Sequence, residues 1–257
     1  MLLKDRAAII TGGARGMGRA IALQFAAEGA SSCIADVRDK EGEETVKLVK
    51  ATGADCIYVH TDVTSSSSVN NMVAKAIEKY GKIDIMANCA GIGRPPLLIN
   101  DISDEEYDRV VDVNMKGIFL CLRAIAPHMK GNKYGKIINI ASLAGISPAP
   151  VAIHYAAAKA GALHLSKCFA LEVARDNITV NAILPGMIRT DMTADFTPPG
   201  IEDLDGFMGK LAEGIPMKRE GTVEDIARTA LYLASDLSSY VTGSAIEVGG
   251  GMPNRGL

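Results

Sequence analysis

Residues 11–18 read T-G-G-A-R-G-M-G. It follows a short apolar run at 7–10 and leads into R-A-I-A-L-Q-F-A, which has helical spacing. Glycines at a strand-to-helix turn let the backbone bend tightly and approach a phosphate, and the N-terminus of a helix attracts negative charge. The spacing is T-G-x-x-x-G-x-G rather than G-x-G-x-x-G. Such a turn can be purely structural, but the flanking strand and helix favour binding of a dinucleotide pyrophosphate.

Short apolar runs alternate with helical patterns along the chain. The runs lie at 7–10, 32–35, 56–59, 83–88, 136–140, 178–183 and 244–248. The helical patterns lie at 16–29, 41–52, 66–80, 104–129, 155–175 and 223–235. Strands that are apolar on both sides and alternate with helices indicate a parallel sheet with helices on both faces. We therefore predict an α/β fold, a Rossmann-type doubly wound parallel sheet, and a single domain over residues 1–257.

Composition and charge exclude several classes of protein. The chain has 257 residues, is 48% hydrophobic and 22% charged, and carries a net charge of −3 without a basic stripe. Nothing favours a nucleic-acid or membrane partner. There is no signal-peptide pattern and no apolar stretch long enough to span a bilayer. Five cysteines lie singly in apolar segments, which favours a reduced, cytoplasmic protein. The four histidines lack metal-site spacing, so we expect no metal.

Asp36, at the end of the second predicted strand, bears on the choice of cofactor. A carboxylate about 20 residues beyond the glycine loop accepts hydrogen bonds from the ribose hydroxyls of NAD and repels the 2′-phosphate of NADP. Arg15 and Arg38 argue the other way, because either guanidinium could pair with that phosphate. Both could equally face solvent. The sequence favours NAD, with NADP less favoured.

Further motifs follow the glycine loop in order. They include N-C-A-G at 88–91, V-N-M-K-G around Asn114, I-A-S-L-A-G around Ser142, Y-A-A-A-K at 155–159, P-G-M-I-R-T at 185–190 and Y-V-T-G-S-A-I-E-V-G-G-G at 240–251. With these motifs the chain resembles the classical short-chain dehydrogenase/reductase (SDR) family from about residue 7 to 251. It departs from the family at Cys89, where the family has a second asparagine, and this puts one contact of the cofactor wall in doubt.

The resemblance implies a set of cofactor-binding residues. They are Gly12, Arg15, Gly16, Met17, Gly18, Asp36, Asp62, Val63, Asn88, Gly91, Tyr155, Lys159, Pro185, Gly186, Ile188 and Thr190. It also implies hydride transfer between the nicotinamide and a ketone or secondary alcohol.

The resemblance implies four catalytic residues. Tyr155 would be the general acid/base, and Lys159, one helical turn later, would lower its pKa and bind the nicotinamide ribose. Ser142 would stabilise the substrate oxygen, and Asn114 would hold a relay water. Taken without the resemblance, Ser142 could be a helix or turn cap and Asn114 a structural amide in a helix kink. His154 should point about 100° away from Tyr155, into the substrate-pocket wall or to the surface.

The segment 187–215 occupies the position of the family's substrate lid, with Pro198, Pro199 and Gly200 dividing it. Its apolar residues suit a bulky or cyclic substrate such as a hydroxysteroid, although some must pack on the core. They are Met187, Ile188, Met192, Phe196, Ile201, Leu204, Phe207, Met208 and Leu211. The lid also has six acids against Arg189 and Lys210: Asp191, Asp195, Glu202, Asp203, Asp205 and Glu213. This balance disfavours, without excluding, an acidic acyl carrier.

Several alternatives stay open at this point. The leading function is an NAD-dependent secondary-alcohol dehydrogenase, and the alternative is an NADPH-dependent 3-oxoacyl-[acyl-carrier-protein] reductase. A nucleotide-sensing binding protein is the non-enzymatic alternative, which the complete set of four catalytic residues disfavours. Gly93, Arg94, Pro95, Pro96 and Leu97 would stand at the entrance, where Arg94 meets a substrate anion or water. By family analogy we expect a homotetramer.

Overall fold

The computed structural model describes residues 1–94, 96–197, 200–201 and 203–252; the side chains of residues 191, 194 and 196 are likewise not described. Its strands are β1 (Ala7–Thr11), β2 (Ser31–Asp36), β3 (Cys56–His60), β4 (Ile85–Asn88), β5 (Gly135–Ile140), β6 (Ile178–Pro185) and β7 (Ala245–Val248). In this part of the chain they form one parallel sheet of order β3-β2-β1-β4-β5-β6-β7.

Helices cover both faces of the sheet. They are α1 (Gly16–Ala27), α2 (Asp39–Ala51), α3 (Ser66–Tyr80), α4 (Asp104–Val111), α5 (Gly117–Asn132), α6 (Ile153–Val173), α7 (Leu204–Glu213) and α8 (Val223–Ala234). The apolar residues of α1, α2 and α8 form one core with the sheet, and those of α3, α5 and α6 form the other. The predicted doubly wound α/β fold is confirmed.

The apolar strands connect these two cores. Along β1, Ile9 packs into the core under α3, α5 and α6, whereas Ala8 and Ile10 pack into the core under α1, α2 and α8. Alternate side chains of a strand point to opposite faces, so a strand buried on both faces needs an uninterrupted apolar run. Because β1 pairs with both β2 and β4, the direction of winding reverses beside it. A crevice at the carboxyl ends of the strands is expected at this reversal.

The predicted helix over 104–129 is interrupted. Between α4 and α5, residues Asp112–Lys116 form a turn of π-helix. The amide of Asn114, in this turn, donates to the Val110 carbonyl at 3.0 Å and to the Ile92 carbonyl at 3.0 Å. A π turn leaves a carbonyl without its regular helical partner, and here a side chain takes that place. The sequence pattern cannot show this turn, because it depends on a contact with Ile92, which lies far away in the chain.

All five cysteines are unpaired thiols. Cys33, Cys56 and Cys121 are buried in the two cores, as single cysteines in apolar segments predict. Among the described helices, none combines the length and the apolar composition needed to cross a membrane.

Candidate active site

The glycine loop lies between β1 and α1 and has the backbone geometry that its glycines predict. Gly12 has φ +64°, and a Cβ atom there would lie 2.7 Å from the Ala90 nitrogen. At Gly18 a Cβ atom would lie 2.2 Å from the Gly12 carbonyl oxygen. Gly16 has φ +53° and begins α1, whose first turn has neither a side-chain cap nor an acidic residue. The helix N-terminus thus suits a pyrophosphate group.

A cleft of about 320 Å³ opens above this loop. Ten of the predicted cofactor residues line it: Gly12, Arg15, Gly16, Met17, Gly18, Asp36, Asp62, Val63, Gly91 and Thr190. The residues present therefore fit a dinucleotide with its pyrophosphate at the start of α1. The lining residues outside the predicted cofactor set are Val37, Arg38, Thr61, Cys89, Ala90, Ile92, Arg109, Val113 and Met192. Thr61 is next to a predicted residue in the chain and Met192 belongs to the predicted lid, whereas Arg109 comes from α4 and Val113 from the π turn.

Four predicted cofactor residues lie beside the cleft rather than in its lining. Asn88 is buried and donates to the Asn139 side chain at 2.7 Å. Pro185 ends β6, and the Gly186 amide donates to the Val248 carbonyl at 3.0 Å. Ile188 lines a second cavity of about 480 Å³. The other two residues of that set, Tyr155 and Lys159, lie in the catalytic group.

Asp36 stands at the adenosine end of the cleft, held by two backbone amides. Its carboxylate accepts from the Ala14 amide at 3.1 Å and from the Arg38 amide at 3.1 Å. The carboxylate is thus fixed next to the glycine loop, in a position to meet the ribose hydroxyls of a dinucleotide. Arg15 and Arg38 line the same end, and the Arg38 guanidinium lies 3.7 Å from Glu41. The negative charge of Asp36, which favours NAD, and the positive charges of Arg15 and Arg38, which favour NADP, therefore lie at the same end of the cleft.

The four predicted catalytic residues come together at the other end. Tyr155 and Lys159 are one turn apart on α6, Ser142 follows β5, and Asn114 lies in the π turn. A Cβ atom on Gly91 would lie 2.9 Å from Asn114 Oδ1 and 3.4 Å from Lys159 Nζ. A side chain at position 91 would therefore crowd the Asn114 amide and the Lys159 ammonium, and glycine leaves room for both. Four residues from distant parts of the chain form one group at the end of the cofactor cleft.

Ser142 and Asn114 also have the structural roles that the sequence left open. The Ser142 hydroxyl accepts from the Ala144 amide at 3.1 Å and caps a short 3₁₀ turn at Leu143–Gly145. Asn114 Oδ1 accepts from the Ile92 amide at 3.3 Å. These contacts fix both side chains, and a fixed donor or acceptor is what an active site needs. Capping and catalysis are compatible here.

Burial dominates the electrostatics of the tyrosine and the lysine. It raises the pKa of Tyr155 to about 12, and a hydrogen bond with Ser142 acts in the opposite direction. Burial lowers the pKa of Lys159 to about 8. Lys159 Nζ donates to the Ile140 carbonyl at 3.0 Å and lies 5.7 Å from the centre of the Tyr155 ring. The hydrogen bond with Ser142 thus lowers the tyrosine pKa, and the lowering by Lys159 stays a prediction.

Cys89 replaces an asparagine of the family motif without breaking the cleft wall. Its backbone amide donates to Thr11 Oγ1 at 3.1 Å, and the Ala90 amide donates to the same oxygen at 3.2 Å. Burial raises the pKa of the Cys89 thiol to about 12. The loop is thus held by Thr11, and Cys89 stays a neutral thiol in the cleft wall.

Two expectations at the substrate entrance need correction. Arg94 was expected to meet a substrate anion or water, but its Nε lies 2.6 Å from Glu106 Oε1. His154 was expected in the pocket wall or at the surface, but only 1% of it is exposed, between α4 and α6. The reason is the packing of α4 against α6, which the sequence pattern does not reveal. Pro95 of the same entrance set lies outside the described residues.

The predicted lid segment contains a 3₁₀ stretch at Asp191–Phe196 and the helix α7. Met208 and Ile188 are buried, so part of the apolar set packs on the core. Arg189 binds Glu220 at 2.7 Å and also pairs with Asp205 of α7. Asp203 accepts from the Gly206 amide at 2.8 Å and caps α7. Pro198, Pro199 and Glu202 lie outside the described residues, as do the side chains of Asp191 and Phe196.

The chain is similar to known proteins over nearly its whole length. A family model described as enoyl-(acyl carrier protein) reductase matches residues 12–253. The chain is 38% identical to a 3-oxoacyl-[acyl-carrier-protein] reductase of Staphylococcus epidermidis, over 96% of this chain and 99% of that one. It is 40% identical to one of Chlamydia muridarum, over 98% of each chain. The crystal structure of levodione reductase superposes with a TM-score of 0.94 at 33% identity, over 97% of this chain and 98% of that one.

Proposed function

The chain belongs to the short-chain dehydrogenase/reductase family, and we propose from this that it reduces the 3-oxo group of an acyl thioester with a nicotinamide dinucleotide. The oxidoreductase step rests on one observation: Ser142, Tyr155, Lys159 and Asn114 meet at the end of a cleft that fits a dinucleotide. The choice of substrate is supported by the two bacterial relatives, which match this chain over nearly its whole length.

Each residue then has a defined task. The bound nicotinamide would supply the hydride to the carbonyl carbon. The Ser142 hydroxyl would hold the substrate oxygen, and the Tyr155 phenol would donate its proton to that oxygen. The Lys159 ammonium stands behind Tyr155 and would favour the phenolate that remains. Asn114 would hold the water through which Tyr155 is protonated again.

The sequence favours a secondary-alcohol dehydrogenase over this reductase, whereas the relatives favour the reductase. The excess of acids in the lid still disfavours an acidic acyl carrier. Arg189, one of the two lid cations, pairs with Asp205 and also with Glu220 outside the lid.

A second candidate function remains, an NAD-dependent dehydrogenase of a bulky or cyclic secondary alcohol. The placement of Asp36 beside the glycine loop supports NAD, and levodione reductase has the same fold at a TM-score of 0.94. In the sequence analysis the thioester reductase was paired with NADPH. We propose that NADH is the preferred reductant in either case, because the Asp36 carboxylate would repel a 2′-phosphate.

The test offers the purified protein NADH or NADPH together with either a 3-oxoacyl thioester or a panel of cyclic ketones, including ketosteroids. Loss of absorbance of the reduced cofactor is followed. Faster turnover of the thioester supports the leading proposal, and turnover of cyclic ketones alone supports the second. No turnover of any ketone, with the reduced cofactor still bound, would favour the nucleotide-binding protein instead.

Removing the carboxylate of Asp36 is expected to shift the protein towards NADPH. In Asp36→Ala the ratio of kcat/KM for NADPH to that for NADH should rise at least tenfold, which corresponds to about 1.4 kcal/mol of removed repulsion. Asp36→Asn removes the charge and keeps the size, so its ratio should move in the same direction. An unchanged ratio in both variants would show that Asp36 does not select the cofactor.

We also propose that the protein assembles into a homotetramer in the cytoplasm. The edge strand β7 and nearby large apolar side chains support self-association: Leu237 is 65% exposed, and Tyr240 is fully exposed. Large exposed apolar residues beside an open strand edge are typical of an interaction surface. The molar mass measured by light scattering after gel filtration decides the oligomeric state.

A further inference from the structure

Three titratable side chains from separate elements meet behind the catalytic tyrosine. Arg94 comes from the entrance loop, which we define as residues 89–94, and Glu106 comes from the first turn of α4. His154 comes from the first turn of α6 and directly precedes Tyr155. Arg94 Nε lies 2.6 Å from Glu106 Oε1, and His154 Nε2 lies 3.9 Å from the same oxygen. One carboxylate oxygen therefore faces both other groups.

The polar atoms of this cluster are buried. The Arg94 and Glu106 side chains are each 23% exposed, but Arg94 Nε and Nη2, Glu106 Oε1 and both His154 ring nitrogens are inaccessible to water. The Arg94–Glu106 contact is short, yet its N–H does not point at the oxygen, so the attraction is mainly coulombic. The distance from His154 to Glu106 is too long for a hydrogen bond. A buried polar cluster with unsatisfied atoms is unfavourable by itself, so its place beside the active site is of interest.

The entrance loop is fastened on both sides of this cluster. Ile92 of the loop exchanges hydrogen bonds with Asn114, at 3.0 Å and 3.3 Å. Beyond the loop, the Leu97 amide donates to the Val151 carbonyl, just before α6, at 2.8 Å. Arg94 lies between these two points and is tied to α4 through Glu106. The loop, α4 and the start of α6 thus meet at the Glu106 carboxylate.

We propose that Glu106 is a positioning residue of the active site, holding Arg94 of the entrance loop against His154 at the start of α6 so that Tyr155 stays in place against Ser142. This inference rests on the proposed reductase function for its catalytic consequence. His154 and Tyr155 are neighbours on one helical turn, so a displacement of the histidine is transmitted to the tyrosine through the backbone. A general acid displaced by about 1 Å loses a large part of its effect.

The inference has a specific consequence for neutralisation of Glu106. In Glu106→Gln, Arg94 keeps its charge without the facing carboxylate while its Nε and Nη2 atoms stay inaccessible to water, which is unfavourable. The guanidinium is then expected to move towards water and to loosen both the entrance loop and the first turn of α6. Asp108→Asn is the matched control, because Asp108 lies on the same helix and is exposed.

Two measurements test the inference, and the first does not depend on the reaction. In Glu106→Gln, amide hydrogen exchange in the entrance loop and at residues 152–157 should speed up at least tenfold, with Asp108→Asn unchanged. On whichever ketone the wild type reduces, kcat of Glu106→Gln should fall at least tenfold, while KM for the ketone changes less than threefold. Glu106→Asp keeps the charge, so its exchange rates and its kcat should lie between those of the wild type and of Glu106→Gln. This variant also carries the test if Glu106→Gln does not fold.

The outcomes separate the two proposals. Unchanged exchange in Glu106→Gln overturns the positioning role, whether or not the wild type is active. Faster exchange with an unchanged kcat shows that the cluster does not serve catalysis, which also overturns it. A wild type that reduces no ketone refutes the proposed function, while the exchange data still decide whether Glu106 holds the loop and the helix.

Discussion

Replacing Tyr155 with phenylalanine is expected to lower kcat about 10³-fold, within the range that a positioned general acid contributes. Phenylalanine keeps the ring and removes only the hydroxyl, which is the group that delivers the proton to the substrate oxygen. Ser142 would still hold that oxygen, so KM for the ketone should change little. Binding of the reduced cofactor, followed by its fluorescence, should stay close to that of the wild type.

The fold should tolerate this change. The variant loses one hydrogen bond with Ser142, which corresponds to about 1 kcal/mol of unfolding free energy. Tyr107→Phe is the matched control, because Tyr107 is half-exposed on α4 and its hydroxyl has no task in the mechanism. Turnover by Tyr155→Phe within tenfold of the wild type would refute the assignment of Tyr155 as the proton donor.

The pattern of the sequence was sufficient to predict the sheet. Strands buried on both faces need uninterrupted apolar runs, and each predicted run overlaps a strand of the structure. The glycine loop was equally predictable, because a Cβ atom at Gly12 or Gly18 would overlap the backbone of the loop or of its neighbour. Both features are indicated by residues that are close together in the chain, so they can be predicted from the sequence.

Features set by contacts between distant segments were not predictable in the same way. The helix over 104–129 has good helical spacing, yet a contact of Asn114 with Ile92 inserts a π turn into it. His154 was expected at the pocket wall or the surface, and the packing of α4 on α6 buries it instead. A periodicity shows that a residue turns away from its neighbour. It does not show which other element the residue meets.

The same limit applies to the environment of Lys159. The spacing Y-x-x-x-K correctly places a tyrosine and a lysine on one face of α6, but it contains no information on how deeply the ammonium is buried. The structure buries it next to Gly91 and Ile140. Burial disfavours the charged form and lowers the pKa of Lys159 to about 8. The protein therefore carries a charge where charge is unfavourable, as is common at functional sites.

Replacing Lys159 with methionine is expected to separate activity from stability. Without the ammonium, the phenolate of Tyr155 loses a neighbouring positive charge, and the ribose of a bound nicotinamide loses a ligand. We expect kcat to fall at least 10²-fold. The kcat of the wild type should itself fall as pH rises through about 8, because Lys159 loses its proton there. The pH profile of kcat should lose this inflection in the variant.

The stability of Lys159→Met should change little, because two effects oppose each other. At pH 7 the lowered pKa of Lys159 costs the folded state roughly 3 kcal/mol, and the variant removes this cost. Loss of the hydrogen bond to the Ile140 carbonyl, about 1–3 kcal/mol, offsets most of it. The free energy of unfolding at pH 7 should therefore stay within about 2 kcal/mol of the wild type. If the free energy of unfolding falls by more than that, the lost activity comes from a damaged fold rather than from the missing charge.

The dependence of stability on pH gives the sharper check. Between about pH 8 and the ordinary lysine pKa of 10.5, the unfolded chain holds more protons on Lys159 than the folded protein does. Stability of the wild type relative to Lys159→Met should therefore rise across this range and be lowest below pH 8. Burial raises the pKa of Tyr155 to about 12, and loss of the ammonium can only raise it further. The phenol therefore stays protonated in both folded proteins up to pH 10, and its contribution cancels in the difference. Urea unfolding of both at pH 7 and pH 10 measures it, and an equal difference at the two pH values would mean that the lysine is not held in an unfavourable charged state.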